Sequence, residues 1–236
     1  MQLKPIMPFM LTLMVLLSGC NNSKKSQKVV VPAGDSVYGI DISNHQGEIN
    51  WSKVKDWEGQ PIHFIYIKAT EGSTYVDKRY EANVKGAKKQ GFLVGSYHYF
   101  RTTSNPEEQF KNFKRNVAKD AQDLIPLVDV EENKNWNSAT FHKNFKKFLV
   151  MVEKHYGKKP LIYTVNSFYN KNLSGKYSDY QFLIGRYGEN SPNMRDKHDW
   201  TIWQFSESGT IEGIPKPVDI DLLNPKFTME TLMLNE

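Results

Sequence analysis

The sequence predicts an α/β fold, a modified TIM-like barrel with five β/α units followed by three helix-poor strands. Short apolar runs rich in β-branched and aromatic residues alternate with longer amphipathic stretches that carry Lys and Glu, a pattern typical of β/α units. The last three apolar runs leave little room for helices between them. A doubly wound open sheet is the alternative architecture.

The predicted elements follow in a regular order. Strands are expected at residues 37–42, 63–68, 92–100, 125–130, 159–164, 181–187, 200–205 and 218–222. Helices are expected at residues 51–57, 78–90, 106–121 and 138–156. Asn105 and Pro106 suit the start of the third helix, since proline is accommodated in a first helical turn. Ser138 is expected to cap the fourth helix and Gly157 to end it.

The first nineteen residues predict a lipoprotein signal peptide. Lys4 is their only charge, and residues 6–17 form an apolar run shorter than the roughly 20 residues that span a bilayer as a helix. The segment ends in Leu-Ser-Gly-Cys, which resembles the bacterial lipobox and implies a diacylglycerol on Cys20 after cleavage. Cys20 is the only cysteine in the chain, and an ordinary secretory signal with an incidental cysteine is the alternative.

Residues 20–36 are predicted to be the lipidated cysteine and a polar, flexible tether, and residues 37–236 one folded domain. We therefore expect a protein of the cell envelope that is anchored to a membrane through Cys20 and faces the periplasm or the cell surface. The net charge of +5 favours approach to an anionic polymer or membrane, although it also serves solubility. With no nucleic-acid-binding motif and nothing that demands an oligomer, we expect a monomer that binds no nucleic acid.

Carboxylates mark three of the predicted strands. Asp41 lies near the end of the first, Asp129 and Glu131 end the fourth, and Asp219 and Asp221 lie in the last. In a barrel of this kind, chemistry takes place at the C-terminal ends of the strands. Because side chains alternate along a strand, Asp129 and Glu131 are expected on one face with Cα atoms about 6.5 Å apart. Two carboxylates in a partly dry site raise the pKa of at least one, as a general acid requires.

Other chemistries have less support from the sequence. A single acid at a strand end is more often a turn or cap residue, but acids from three strands at one rim are harder to explain in this way. Oxygen-rich clusters suit magnesium or calcium, yet no calcium-binding loop occurs, and His45, His63 and His98 form no close pair of zinc ligands. No Gly-x-Ser-x-Gly elbow is present. We therefore expect no metal and no cofactor.

Aromatic residues near the strand ends indicate a sugar-binding groove, because pyranose rings present apolar C–H faces that pack on flat rings. About half of these aromatic residues are expected to fill the core instead, since alternate side chains of a strand face opposite sides. Tyr97, Tyr163 and Trp203 are the first candidates to face the groove, and Tyr187 and Gln204 are further candidates.

Five segments resemble, in order, the successive motifs of glycoside hydrolase family 25, the N-acetylmuramidase lysozymes. These segments are residues 39–47 (GIDISNHQG), 65–72 (IYIKATEG), 95–100 (GSYHYF), 127–131 (LVDVE) and 203–204 (WQ). The resemblance spans about residues 37–227. It implies a hydrolase that cuts the β-1,4 bond from N-acetylmuramic acid to N-acetylglucosamine, with peptidoglycan glycan strands as its partner.

The resemblance also implies roles for the acids. Glu131 is expected to be the general acid that protonates the leaving oxygen, with Asp129 assisting it or stabilising positive charge on the sugar. Asp41 and Asp219 are expected to complete the catalytic set. The family usually has an amide where this chain has Asp221, so which of the two late aspartates acts stays open, and Asp221 is counted among the substrate-binding candidates.

We expect a retaining reaction in which the 2-acetamido group of the substrate attacks the anomeric carbon. In this scheme Asp129 orients the acetamido group, and Glu131 acts first as an acid and then as a base. Glu132 is expected to face the other side of the strand. Two rival functions stay open: a non-catalytic envelope protein that holds peptidoglycan, and a hydrolase of another acetamido-sugar polymer such as chitin.

Overall fold

Eight strands close into a barrel in the computed structural model, which describes residues 36–235. The strands, in chain order, are β1 (Tyr38–Ile42), β2 (Asp56–Trp57), β3 (Gln60–Glu71), β4 (Tyr75–Val76), β5 (Leu93–Tyr99), β6 (Leu127–Asp129), β7 (Leu161–Val165), β8 (Phe182–Gly185), β9 (Ile202–Gly209) and β10 (Val218–Leu223). The order around the barrel is β1, β3, β5, β6, β7, β8, β9 and β10. The short strands β2 and β4 pair with β3.

The direction of the strands places most of their C-terminal ends at one end of the barrel. From β1 through β3 and on to β9, neighbouring barrel strands are parallel, whereas β10 is antiparallel to both β9 and β1. The eight strands predicted from the sequence are confirmed in number and order. Because β1 pairs with both β3 and β10, the sheet is closed, and the open doubly wound alternative is excluded.

Helices connect the early strands. They are α1 (Tyr80–Lys89), α2 (Pro106–Asn116), α3 (Ser138–Tyr156) and the single turn α4 (Asn166–Phe168), which continues into a π-helical turn (Tyr169–Leu173). Short 3-10 turns occupy Asn44–Gln46, Lys119–Ala121 and Met229–Thr231. Three predicted helices are confirmed. Asn105 caps α2 by accepting a hydrogen bond from the N–H of Glu108, but α2 ends before the predicted boundary because Val117 is extended.

The predicted helix at residues 51–57 is wrong. The end of this segment is β2, which turns back through Glu58 and Gly59 to pair with β3. Both turn residues have positive φ angles, 50° and 79°, as a two-residue hairpin turn with glycine in second place requires. Asp56 Oδ1 also accepts a hydrogen bond of 2.9 Å from the N–H of Gly59. This turn chemistry rules out a helix that ends at Trp57, so the first β/α unit has no α-helix.

Helix α3 is capped by Asn137. The sequence had predicted Ser138 as the cap, and this prediction is wrong. Asn137 is extended, and its Oδ1 accepts a hydrogen bond of 2.9 Å from the N–H of Thr140. Gly157 ends the helix with a left-handed φ of 90°, as predicted. One face of the helix is fully buried and includes Phe141, Phe145, Phe148 and Val152.

A buried histidine joins β5 to the helical layer. The ring of His98 stacks on Phe148 with centroids 4.9 Å apart, and its nitrogens contact Thr70 Oγ1 at 2.7 Å and Gln109 Oε1 at 3.2 Å. Burial lowers the pKa of His98 to about 3, so the ring is neutral. Because His98 faces the helices, its neighbours Tyr97 and Tyr99 face the inside of the barrel.

The predicted signal peptide at residues 1–19, Cys20 and all but the last residue of the predicted tether lie outside the described residues. Within residues 36–235, no helix combines the length and the apolar character that crossing a membrane requires.

Replacing Asn137 tests the capping assignment. Asn137→Ala is expected to lower the free energy of unfolding by about 1 kcal/mol, because the N–H of Thr140 loses its side-chain acceptor. The matched control is the exposed Ser138→Ala, which is expected to change that free energy by less than about 0.5 kcal/mol. Urea unfolding of both variants gives the difference, and equal losses would contradict the assignment.

Candidate active site

Two carboxyl groups lie together where β6 ends. Asp129 is the last residue of β6, Glu131 follows two positions later, and Val130 between them is fully buried. The side chains of Asp129 and Glu131 are in hydrogen-bonding contact, so they share the face that alternation predicts. A hydrogen bond between two carboxyl groups requires that one of them carry a proton.

Burial raises the pKa of both carboxyl groups. Asp129 is 7% exposed, and its burial, followed by the negative charge of Glu131, raises its pKa well above the usual value. Burial also raises the pKa of the more open Glu131, while the contact with Asp129 and the cations Arg101 and Lys68 oppose that rise. Two coupled carboxyls lose their protons in two separate steps. Between those steps, the pair contains one acid and one base.

A second carboxyl pair joins β1 to β10. Asp41 and Asp219 are opposite each other in the antiparallel register and are in hydrogen-bonding contact. Burial, then Asp219 and Asp221, raise the pKa of Asp41 well above its usual value. Burial, then Glu207, raises the pKa of Asp219 to about 6. Asp219 lies near the start of β10, and it reaches the same rim as Asp41 because β10 is antiparallel.

Gln204 connects the second carboxyl pair to two tyrosines. Its Nε2 donates to Asp41 Oδ2 at 2.6 Å, and its Oε1 accepts hydrogen bonds from the hydroxyls of Tyr163 at 3.0 Å and Tyr187 at 3.1 Å. Gly185 leaves room for this arrangement, since a Cβ there would lie 2.9 Å from the Tyr163 hydroxyl. Gln204 is 2% exposed, so its amide is held in one orientation.

These groups line a cleft of about 310 Å³. Five carboxylic acids line it: Asp41, Asp129, Glu131, Glu207 and Asp219. Of the residues that the sequence predicted for sugar binding, Tyr97, Tyr163, Tyr187 and Gln204 also line the cleft. The structure therefore brings together tyrosine rings and carboxyl groups from six barrel strands and from the segments after β6 and β8.

Among the cleft residues that the sequence did not predict as site residues are Lys68, Tyr99 and Glu207. Lys68 is near the end of β3 and Tyr99 is the last residue of β5, and both lie within the five motif segments, so their position near strand ends was the available signal. Glu207 lies beyond the predicted end of its strand, because β9 continues to Gly209.

The histidines considered as metal ligands are not grouped. His45 lines the cleft, whereas His98 is buried beneath the helices. Among residues 36–235, no three side chains of His, Cys, Asp or Glu are arranged to hold a metal ion.

Comparison with known proteins identifies the family. The sequence model of the family glycosyl hydrolases family 25 matches residues 40–214 of this chain. The chain belongs to glycoside hydrolase family 25. It is therefore a glycoside hydrolase, and the matched stretch contains Asp41, Asp129 and Glu131 and ends shortly before Asp219.

Relatives of the hydrolase cover most of its length. It is 35% identical to the uncharacterized protein YegX of Escherichia coli strain K12 over 202 residues. The aligned region covers 85% of this chain and 74% of YegX. It is 30% identical over 213 residues to lysozyme M1 of Streptomyces globisporus, which spans 84% of this chain and 71% of that lysozyme. A solved family 25 glycosyl hydrolase from Bacillus anthracis superposes with a TM-score of 0.72 at 33% identity, over 79% of this chain and 88% of that one.

Trp203 does not line the cleft of the hydrolase, contrary to the sequence prediction. Its Nε1 donates to the carbonyl oxygen of Arg186 at 2.6 Å, and its ring packs against Trp200 and Phe205. Since Gln204 faces the inside of the barrel, alternation turns the preceding Trp203 outward. The indole therefore packs against neighbouring rings outside the lining of the cleft.

Asp221 is also absent from the lining of the cleft. It is opposite Gly39 in the β1–β10 register, whereas Asp219 is opposite Asp41, so Asp221 lies deeper in the barrel. It is fully buried, and neither carboxyl oxygen has a hydrogen-bond partner. Burial, then the charge of Asp219, raises its pKa well above the usual value, so the neutral acid is favoured.

The raised pKa of Asp221 predicts how the stability of the hydrolase depends on pH. The folded chain retains this proton to a higher pH than the unfolded chain, so stability is greatest below the unfolded pKa and falls as the pH rises through the folded pKa. Each unit by which the pKa of the folded chain exceeds that of the unfolded chain corresponds to about 1.4 kcal/mol of the free energy of unfolding. Asp221→Asn is therefore expected to unfold at a higher temperature than the wild type at pH 8, with the gap narrowing toward pH 4.

Thermal unfolding across this pH range measures the effect. The exposed Asp120→Asn is the matched control, and its unfolding temperature is expected to follow that of the wild type at every pH. A difference between Asp221→Asn and the wild type that stays constant with pH would show that Asp221 does not hold the proton.

Proposed function

We propose that this hydrolase cuts the β-1,4 bond between N-acetylmuramic acid and N-acetylglucosamine in peptidoglycan. The observation that carries the proposal is the hydrogen-bonded pair of Asp129 and Glu131, whose pKa values are raised in a cleft lined by tyrosines. A glycosidase needs an acid that stays protonated near neutral pH, and burial of such a pair supplies one. The similarity to lysozyme M1 of Streptomyces globisporus supports the choice of polymer.

The charges of the cleft suit an uncharged part of the substrate. Five carboxylic acids and one lysine line it, so a polyanionic chain is disfavoured, whereas a glycan backbone presents mainly hydroxyl and acetamido groups. The rings of Tyr97, Tyr163 and Tyr187 offer flat apolar surfaces for the C–H faces of the sugars.

In this proposal Glu131 protonates the leaving oxygen, because it is the more open member of the pair and is accessible to a bound glycan. Asp129 is deeper, and its anion stabilises positive charge that develops on the sugar or on an attacking acetamido group. Asp41 and Asp219 belong to the same catalytic set, and Gln204 fixes the carboxyl group of Asp41.

We further propose a retaining reaction assisted by the 2-acetamido group of the substrate. Inverting enzymes hold their two carboxyls about 6.5–9.5 Å apart to leave room for water, and retaining enzymes with a carboxylate nucleophile hold them about 5–5.5 Å apart. Asp129 and Glu131 are in hydrogen-bonding contact, which is closer than either arrangement. An acetamido nucleophile oriented by Asp129 is compatible with such close carboxyls.

We propose that the hydrolase acts as a monomer at the cell envelope, attached to a membrane through a diacylglycerol on Cys20. The support is the Leu-Ser-Gly-Cys sequence after a short apolar run, and the lone cysteine. A polar tether of the length of residues 20–36 allows the catalytic domain to reach glycan strands near the membrane.

Removing the acid tests the proposed activity. Glu131→Gln is expected to lower the release of sugars from peptidoglycan by about 10²–10⁴-fold, because the amide cannot protonate the leaving oxygen. The isosteric control Glu81→Gln changes an exposed residue of α1 and is expected to retain wild-type activity. Mass spectrometry of the products from peptidoglycan and from chitin identifies the reducing-end sugar.

The outcomes separate the candidate functions. Reducing-end N-acetylmuramic acid released by the wild type supports the muramidase. Products from chitin alone would favour a hydrolase of another acetamido polymer, and no release from either polymer would favour a protein that only binds peptidoglycan.

The stereochemistry of the first product tests the acetamido-assisted reaction. NMR spectra recorded as soluble peptidoglycan fragments are digested are expected to show the β-anomer of the new reducing end before mutarotation, because two displacements retain the configuration. The α-anomer as the first product would show a single displacement by water and would contradict the retaining route.

A further inference from the structure

Lys68 is the only Lys or Arg among the residues that line the described cleft. It lies near the end of β3, and its side chain is 12% exposed. Five carboxylic acids line the same cleft, so this cation has a large influence on where negative charge is tolerated.

Glu71 holds the ammonium group of Lys68. Lys68 Nζ lies 2.6 Å from Glu71 Oε2, although residues three apart on a regular strand face opposite sides. The pairing of β3 with β5 shifts register between Lys68 and Thr70, and this irregularity brings Glu71 to the same side as Lys68. Burial favours a neutral Glu71, but hydrogen bonds from Lys68 and Arg101 prevail and lower its pKa, so it stays an anion.

Arg101 fixes Glu71 in turn. Its Nε and one terminal nitrogen donate to Glu71 Oε1 at 2.8 and 2.6 Å, and its guanidinium lies 4.2 Å from the ring centre of Tyr99. Its other terminal nitrogen lies 3.4 Å from Glu132 Oε1. The network therefore links β3, the end of β5 and the segment that carries Glu131, and it restricts Lys68 to one position.

The proposed reaction requires the shared proton on Glu131, but the pKa of Asp129 is raised more strongly than that of Glu131, so the proton rests on Asp129. Asp129 is 7% exposed and Glu131 is more open, and the neutral form is preferred where burial is deeper. Among the main influences on Asp129, the charge of Lys68 is the one that lowers its pKa. The pKa of Glu131 is lowered more by the contact with Asp129 and by the charge of Arg101 than by the charge of Lys68.

We propose that Lys68, held in place by Glu71 and Arg101, is a positioning residue that allows the shared proton to pass from Asp129 to Glu131 by stabilising the anion of Asp129. The proposal deepens the muramidase assignment and rests on it, because the role of Glu131 as the proton donor comes from there. Lys68 acts through the carboxyl pair and takes no part in bond cleavage itself.

Other charged and titratable groups surround the pair. They are Glu71 on β3, Tyr97 and Tyr99 on β5, Arg101 after β5, Glu132 after Glu131, Tyr163 on β7, Asp41 on β1 and Asp219 on β10. The tyrosines are neutral near pH 7, since burial raises their pKa values. The acids in this set favour protonation of the pair, so Lys68 and Arg101 are the groups that oppose it.

Exchanging Lys68 tests this role in the purified protein. In Lys68→Gln, the loss of the cation is expected to raise both apparent pKa values of the pair and to move the optimum of kcat to higher pH by about one to two units. At the wild-type optimum, kcat is expected to fall at least about tenfold, with a smaller change in KM. Lys68→Arg keeps the charge and is expected to restore the wild-type pH profile, while the exposed Lys78→Gln controls for net charge.

Titration of ¹³C-labelled side-chain carboxyls by NMR follows the same protons without any substrate. Asp129 and Glu131 are assigned from the variants Asp129→Asn and Glu131→Gln, and circular dichroism verifies that each Lys68 variant is folded. The proposal predicts that in Lys68→Gln the carboxyl signal of Asp129 titrates at higher pH than in the wild type.

The two readouts separate this proposal from the muramidase assignment. Unchanged carboxyl titrations in a folded Lys68→Gln would overturn the role of Lys68, whatever the activity. Loss of kcat without a shift of the pH profile, or equal losses in Lys68→Arg and Lys68→Gln, would also overturn it. A wild type that releases no sugar from peptidoglycan would refute the muramidase assignment, whereas the NMR titration would still report whether Lys68 controls the proton.

Discussion

The burial of carboxyl groups inside a closed barrel is the constraint on which the rest of this site depends. Closure brings acids from the first, middle and last strands to one rim, where water is partly excluded. Desolvation disfavours the charged form of an acid, so the pKa values of Asp41, Asp129, Glu131 and Asp219 all rise. An acid that is protonated near neutral pH is thus a consequence of the architecture.

The surrounding polar groups limit the cost of that burial. Gln204 donates to Asp41 while two tyrosine hydroxyls occupy the oxygen of its amide, so a neutral network supports one carboxyl pair. Charges support the other pair, through Lys68 and Arg101. Asp221 lacks both kinds of support, because neither of its oxygens has a hydrogen-bond partner.

Local sequence patterns predicted most of the elements for physical reasons that do not depend on the rest of the fold. Apolar runs form strands, a capping amide with proline begins α2, and Gly157 ends α3 where a left-handed conformation is needed. The prediction failed at residues 51–57, where the segment forms a turn and the first strand of a hairpin. There the positive φ angles of Glu58 and Gly59 decide the structure, since a turn of this kind is incompatible with a helix.

The sequence by itself determined that Asp129 and Glu131 share a face, because the two-residue period of a strand is a local property of the backbone. The motif order also determined the family. Only the tertiary structure decided which face of each strand points into the barrel, since that depends on closure and on the register with neighbouring strands. Register placed Gln204 inside and Trp203 outside, left Asp221 below the cleft, and brought Lys68 beside Glu71.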